Sequence, residues 1–156
     1  MPARARILFV DDDEAGRELS LYNLTDAGHA VDTAGDGAQA LAHFDAAAHD
    51  LVVTDLRMPG TSGMEVLAHV VREAPDVPVV VITAHGSVEV AVQAMRAGAY
   101  DFIEKPFARD VLLLAVARAL EHRRLTLENR ALRRRAAGVE RPLVYVSGVM
   151  EELVLL

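Results

Sequence analysis

The sequence predicts an α/β fold: a doubly wound, five-stranded parallel sheet with helices on both faces. Three observations carry this. Short β-branched runs recur five times by residue 103. Between them lie stretches with apolar residues at helical spacing, and N-cap and C-terminal glycine signals punctuate the boundaries. Five strand-then-helix repeats pack as a parallel sheet covered on both sides.

The elements follow in order. "RILFV" (6–10) reads as the first strand, and a helix over 14–27 should close at Gly28. "HAVDTA" (29–34) is the second strand, and Asp36 is placed to cap a helix over 37–48. "LVVT" (51–54) leads to Ser62, the expected cap of a helix over 63–74. "PVVVIT" (78–83) precedes a helix over 86–97 that should close at Gly98, and "YDFI" (100–103) precedes a fifth helix starting near Arg109. From Asp110 to Ala136 there is neither glycine nor proline, so that helix should run on for about 40 Å at 1.5 Å per residue.

Composition narrows the function classes. A chain of 156 residues, 52% apolar and 25% charged, is globular, with room for one domain and a modest extension. No apolar run nears the roughly 18 residues of a membrane span, and "MPARARILFV" enters a strand without a cleavage signal, so a cytoplasmic location is expected. The absence of cysteine excludes disulfides and thiolate chemistry. Residues 1–108 hold 7 basic and 17 acidic side chains, net −10, whereas 109–136 hold 8 arginines and 3 acids, net +5. An acidic body repels phosphate backbones, and no nucleic-acid binding is expected of this segment, Arg133 to Arg135 included.

In a parallel sheet, ligands gather beyond the carboxyl ends of the strands. There the first strand ends in Asp11, Asp12, Asp13 and Glu14, the third in Asp55, the fourth in Thr83, and the fifth runs into Lys105, the single lysine of the chain. Converging carboxylates repel unless a cation compensates, and an all-oxygen set suits Mg²⁺ or Mn²⁺. The six histidines, at 29, 43, 49, 69, 85 and 122, are too scattered to form a ligand set. Lys105 and Thr83 add the positive charge and hydroxyl donor that a phosphoryl group needs.

Residues Arg6 to Leu120 resemble the receiver domain of two-component response regulators. The resemblance rests on the acidic pair Asp11 and Asp12, "DLRMPGTSG" from Asp55, "ITAH" with Thr83, and "KPF" with Lys105. It implies the flavodoxin-like strand order 2-1-3-4-5. It also implies that Asp55 accepts a phosphoryl group from a sensor histidine kinase, with Asp12, Asp55 and the Arg57 backbone carbonyl on Mg²⁺ and Asp11 acting through water. Asp13, one place beyond the pair, is assigned to the solvated rim. Lys105 would pair with the phosphoryl oxygens, across a Lys105-Pro106 bond that is cis in the family. Thr83 and Phe102 would be the switch, Thr83 swinging toward the phosphate and Phe102 turning into the space left. The fourth helix, fifth strand and fifth helix would form the responding surface. Apart from its own phosphotransfer and autodephosphorylation, no enzymatic activity is implied.

Simpler roles exist for two of these residues: Thr83 as an ordinary strand-end residue and Phe102 as a core aromatic. An alternative scheme is a haloacid-dehalogenase-like phosphatase with Asp11 as nucleophile and Asp13 completing D-x-D; it leaves Asp55 and its turn unexplained. "GDGAQA" (35–40) imitates a dinucleotide fingerprint but follows the second strand, where a turn and an N-cap account for it.

The chain thus divides into a receiver domain over 1–120, a helical linker over 121–138 and the start of a further module over 139–156. In the linker, Leu125, Asn129 and Leu132 fit d-a-d of a heptad, the pattern of a two-stranded coil with a register-fixing asparagine. A homodimer is therefore expected, through this helix, the receiver's responding surface, or both. "RPLVYVSGVMEELVLL" resembles the opening of the ATPase module in NtrC-like activators of the sigma-54 polymerase. No G-x-x-x-x-G-K-[ST] loop is present, so ATP hydrolysis is not expected of these residues.

Overall fold

The computed structural model describes residues 4–84 and 86–140. Its elements are β1 (Arg6–Val10), α1 (Glu14–Asp26), β2 (Ala30–Ala34), α2 (Gly37–His43), β3 (Leu51–Asp55), α3 (Gly63–Glu73), β4 (Val79–Thr83), α4 (Val88–Arg96), β5 (Asp101–Glu104) and α5 (Arg109–Glu140). The strands form one parallel sheet in the order β2-β1-β3-β4-β5, the order implied by the resemblance.

Side-chain alternation sorts the strands onto two cores. Leu8 and Val10 of β1, Val52 of β3, and Val79 and Val81 of β4 face one layer with Ala40 of α2, Val66, Leu67 and Val70 of α3, and Ala94 of α4. Ile7, Phe9, Leu51, Val53, Val80 and Ile82 face the other, with Leu24 of α1 and the Leu112, Ala115, Val116, Ala119 stripe of α5. That stripe has the three-and-four spacing of a helix face, and burying Leu112 completely contributes about 2 kcal/mol. Both faces are covered, which is why β3 and β4 are buried at every position.

The expected caps are present. Asp36 accepts the Gln39 N–H at 2.8 Å and Ser62 the Glu65 N–H at 3.4 Å, while Gly28 and Gly98 take positive φ just past their helices. The second helix is shorter than the expected 37–48. It stops at His43, because Asp45 turns its side chain back to the Ala47 N–H and His49 Nδ1 takes the Asp45 N–H at 3.0 Å. Local side-chain bonds thus outcompete helix continuation in an alanine-rich stretch.

Two compact units are distinguished, the first ending at Arg123 and the second beginning at Arg124. In the second, α5 continues to Glu140 with Leu125 and Leu132 exposed. The expected module over 139–156 lies, past Glu140, outside the described residues. No described helix is long and apolar enough to cross a membrane.

Candidate functional site

The sheet order reverses between β1 and β3, and their register pairs Val10 with Thr54. The next residue of each strand's path, Asp11 and Asp55, therefore emerges side by side at the carboxyl edge. Both are almost fully buried, whereas Asp12 is exposed. One carboxylate oxygen from each of Asp11, Asp12 and Asp55 lies within 4.8 Å of the others. An all-oxygen set with one exposed member fits a hard divalent cation with room for water.

Lys105 enters this pocket from beyond β5. Its Nζ donates to Asp55 Oδ2 at 2.7 Å and to Asp11 Oδ1 at 3.2 Å. Asp55 Oδ1 accepts the Arg57 N–H at 3.0 Å, and Asp11 Oδ1 accepts the Asp13 N–H at 3.0 Å. Burial pushes the Asp11 carboxyl above its usual range, an effect that the Asp13 N–H and Lys105 only partly offset. Partial burial alone would lower the Lys105 pKa, but Asp55 and Asp11 together outweigh it and raise it. The Lys105-Pro106 bond is cis.

Thr83 closes β4, buried, with its hydroxyl reaching the Ile103 carbonyl only at a long 3.5 Å. Phe102 is not a core aromatic: it is 40% exposed and lines an apolar groove of about 510 Å³ with Val88, Ala91, Val92 and Met95 of α4. The Arg57 side chain is exposed. Asp11, Asp12, Asp55 and Lys105 are thus brought together, with Thr83 and Phe102 on the neighbouring strands.

Three residues have supporting roles that the sequence reading did not assign. Asp13 is exposed, as a rim residue should be, but it also caps α1 by accepting the Gly16 N–H at 2.9 Å; an aspartate directly before the helix was the available signal. Arg17 donates to the Asp11 carbonyl at 2.9 Å, tying the acidic loop to α1. Gly63 starts α3 against the end of β3. A Cβ there would lie 2.0 Å from the Asp55 carbonyl oxygen and 2.6 Å from Leu56 Cα, so only glycine allows this approach.

Comparison with known proteins gives the family of this fold. Residues 7–117 match the response regulator receiver domain. The C4-dicarboxylate transport transcriptional regulatory protein DctD of Rhizobium meliloti (strain 1021) is 40% identical over 155 residues, covering 98% of this chain and 34% of that protein. DctD of Pseudomonas aeruginosa is 49% identical over 135 residues, 84% of this chain and 28% of that protein. The crystal structure of the NtrX receiver domain from Brucella abortus, 45% identical, aligns with a TM-score of 0.70 over 74% of this chain and 98% of that one. The chain spans about a third of the length of the curated relatives it matches. On a match running through the whole sheet, this chain belongs to the family of response regulator receiver domains, the phosphorylation switches of two-component signalling.

Proposed function

We propose that this chain takes a phosphoryl group on Asp55 from a sensor histidine kinase and relays the change through the α4–β5–α5 surface to a transcription-activating output. The observation that carries this reading is the Lys105 ammonium bridging Asp55 and Asp11 inside a pocket of three carboxylates. Asp12, Asp55 and the Arg57 carbonyl would hold Mg²⁺, or Mn²⁺, with Asp11 acting through water. When bound, that ion neutralises charge on the transferring phosphoryl oxygens.

An Asp55 carboxylate oxygen bonds to phosphorus as the bond from phosphorus to the kinase's histidine nitrogen breaks, and the nitrogen keeps that electron pair. Lys105 then exchanges Asp55 Oδ2 for a phosphoryl oxygen while holding Asp11. Thr83, whose hydroxyl bond is long, turns toward the phosphoryl group, and Phe102 turns in from its exposed position. Water later attacks phosphorus, restoring the carboxylate and releasing phosphate. Thr83 and Lys105 serve this self-catalysed cycle and no separate substrate. The phosphatase scheme with Asp11 as nucleophile gains no support, since it leaves Asp55, held by Lys105 at 2.7 Å, without a role and residues 7–117 match the receiver family instead.

The reading extends to the arrangement of the chain: a receiver over 1–120, a linker over 121–138 and the start of an ATPase-like module of a sigma-54-dependent regulator over 139–156. Exposed Leu125 and Leu132, one heptad apart, support a homodimer through the linker, and a cytoplasmic location belongs to the same reading. Intact-mass measurement after acetyl phosphate tests the core of it. One phosphoryl adduct should form with Mg²⁺, none with chelator, and none in Asp55→Asn. Equal uptake by that variant would sink the proposal.

A further inference from the structure

The amino edge of the sheet, opposite the carboxylate pocket, carries a second built cluster that phosphoryl chemistry does not use. Asp50, directly before β3, is tied to Arg6 at the start of β1 in both directions. Its N–H donates to the Arg6 carbonyl at 2.8 Å, and its Oδ2 accepts the Arg6 N–H at 2.9 Å. These two bonds fix the carboxylate, and its other oxygen, Oδ1, takes Arg123 Nη1 at 3.1 Å.

The turn leading into Asp50 is braced as well. His49 is 3% exposed, accepts the Asp45 N–H on Nδ1 and meets Asp32 Oδ2 with Nε2 at 2.8 Å. With Nδ1 accepting, the ring proton sits on Nε2 and is donated to Asp32. The ring also stacks on Phe44, centroids 5.7 Å apart.

Arg123 is the last residue of the first compact unit, one helical turn beyond the buried Ala119. It differs from a solvated surface arginine. Its side chain is only 23% exposed, and its Nε is buried with no hydrogen-bond partner among the described residues. Giving up water at a donor is unfavourable, so the guanidinium is held by what it gains elsewhere. Exposed ion pairs contribute little because ordering two mobile side chains costs entropy, but here the carboxylate is already ordered by backbone.

We propose that Asp50 and Arg123 form an anchor that fixes the last turn of α5 within the domain body to the β1–β3 frame. Strand β3 then carries the carboxylate of the site at one end and, one residue before its other end, the carboxylate that holds the helix. The last body turn of α5 is a held point from which the helix continues, rather than a fraying end.

Hydrogen-exchange mass spectrometry on the full chain tests this with Asp50→Asn, Arg123→Gln and the double variant. Asp50→Asn keeps a carbonyl oxygen for the Arg6 N–H but turns an amide donor toward the guanidinium, so it removes only the α5 contact. Amides of 117–123 should exchange about three- to tenfold faster than wild type in each single variant, and no faster in the double than in the singles, with β1, β3 and acetyl phosphate uptake unchanged. Wild-type exchange over 117–123 in Arg123→Gln would overturn the anchor. So would effects of the two substitutions that add.

Discussion

Lys105 stands alone among 16 basic residues, the rest arginines, because of what it touches. Its two acceptors belong to different carboxylates on different strands, at 2.7 and 3.2 Å. A guanidinium offers donors in one rigid plane suited to the two oxygens of a single carboxylate, whereas an ammonium on a flexible stem can serve two. Lys105→Arg is therefore expected to keep Mg²⁺ binding and weaken switching. Its phosphorylation-dependent change in hydrogen exchange over α4 and β5 should be clearly smaller than in wild type, and a full-sized change would refute the claim about lysine. The gathering of Asp11, Asp12, Asp55 and Lys105 at one edge was legible beforehand, because all strands of a parallel sheet end on the same side, and Thr83 closes its strand at that edge. Arg17 was not legible, and Gly63 stood in the quoted motif without a role: a close approach and a bond to a carbonyl depend on how α3 and α1 dock, which neighbouring letters do not encode.

Element boundaries were legible where a residue's partner lies within a turn of it, as at Asp36 and Ser62. They failed at α2, whose end depends on His49, a residue held by Asp32 seventeen positions away. Asp32 also joins β2 to β1 through Arg6, whose Nε and Nη2 meet its two oxygens at 2.9 and 3.0 Å. The Arg6 hydrogen bond, opposed by burial and aided by His49, holds the Asp32 carboxyl below the ordinary range. A depressed folded pKa adds stability that is present above the unfolded value, about 3.9, and is lost as pH falls through the folded value. Asp32→Asn should therefore be less stable than wild type in denaturant titrations at pH 6, with the gap closing as pH falls below about 4. A gap that is constant with pH would contradict the ionic role of Asp32.

Across the whole molecule, the carboxylate pocket occupies the carboxyl edge of the sheet and the Asp50–Arg123 pair the amino edge, with buried β3 between them. The strand order needed the family resemblance as well as the alternation of elements, since alternation alone is compatible with other parallel orders. Most of the length of α5 follows from the absence of glycine and proline between Asp110 and Ala136, although the helix also runs through Gly138 to Glu140. The central claim is that Asp55 is the acceptor. Peptide mapping after Mg²⁺ and acetyl phosphate, on wild type, Asp55→Asn and Asp11→Asn, tests it most directly. A hydroxylamine-labile adduct on the peptide bearing Asp55, absent from Asp55→Asn, is the result this account predicts. An adduct on Asp11 that survives loss of Asp55 would contradict it and remove the assigned roles of Thr83, Phe102 and Lys105.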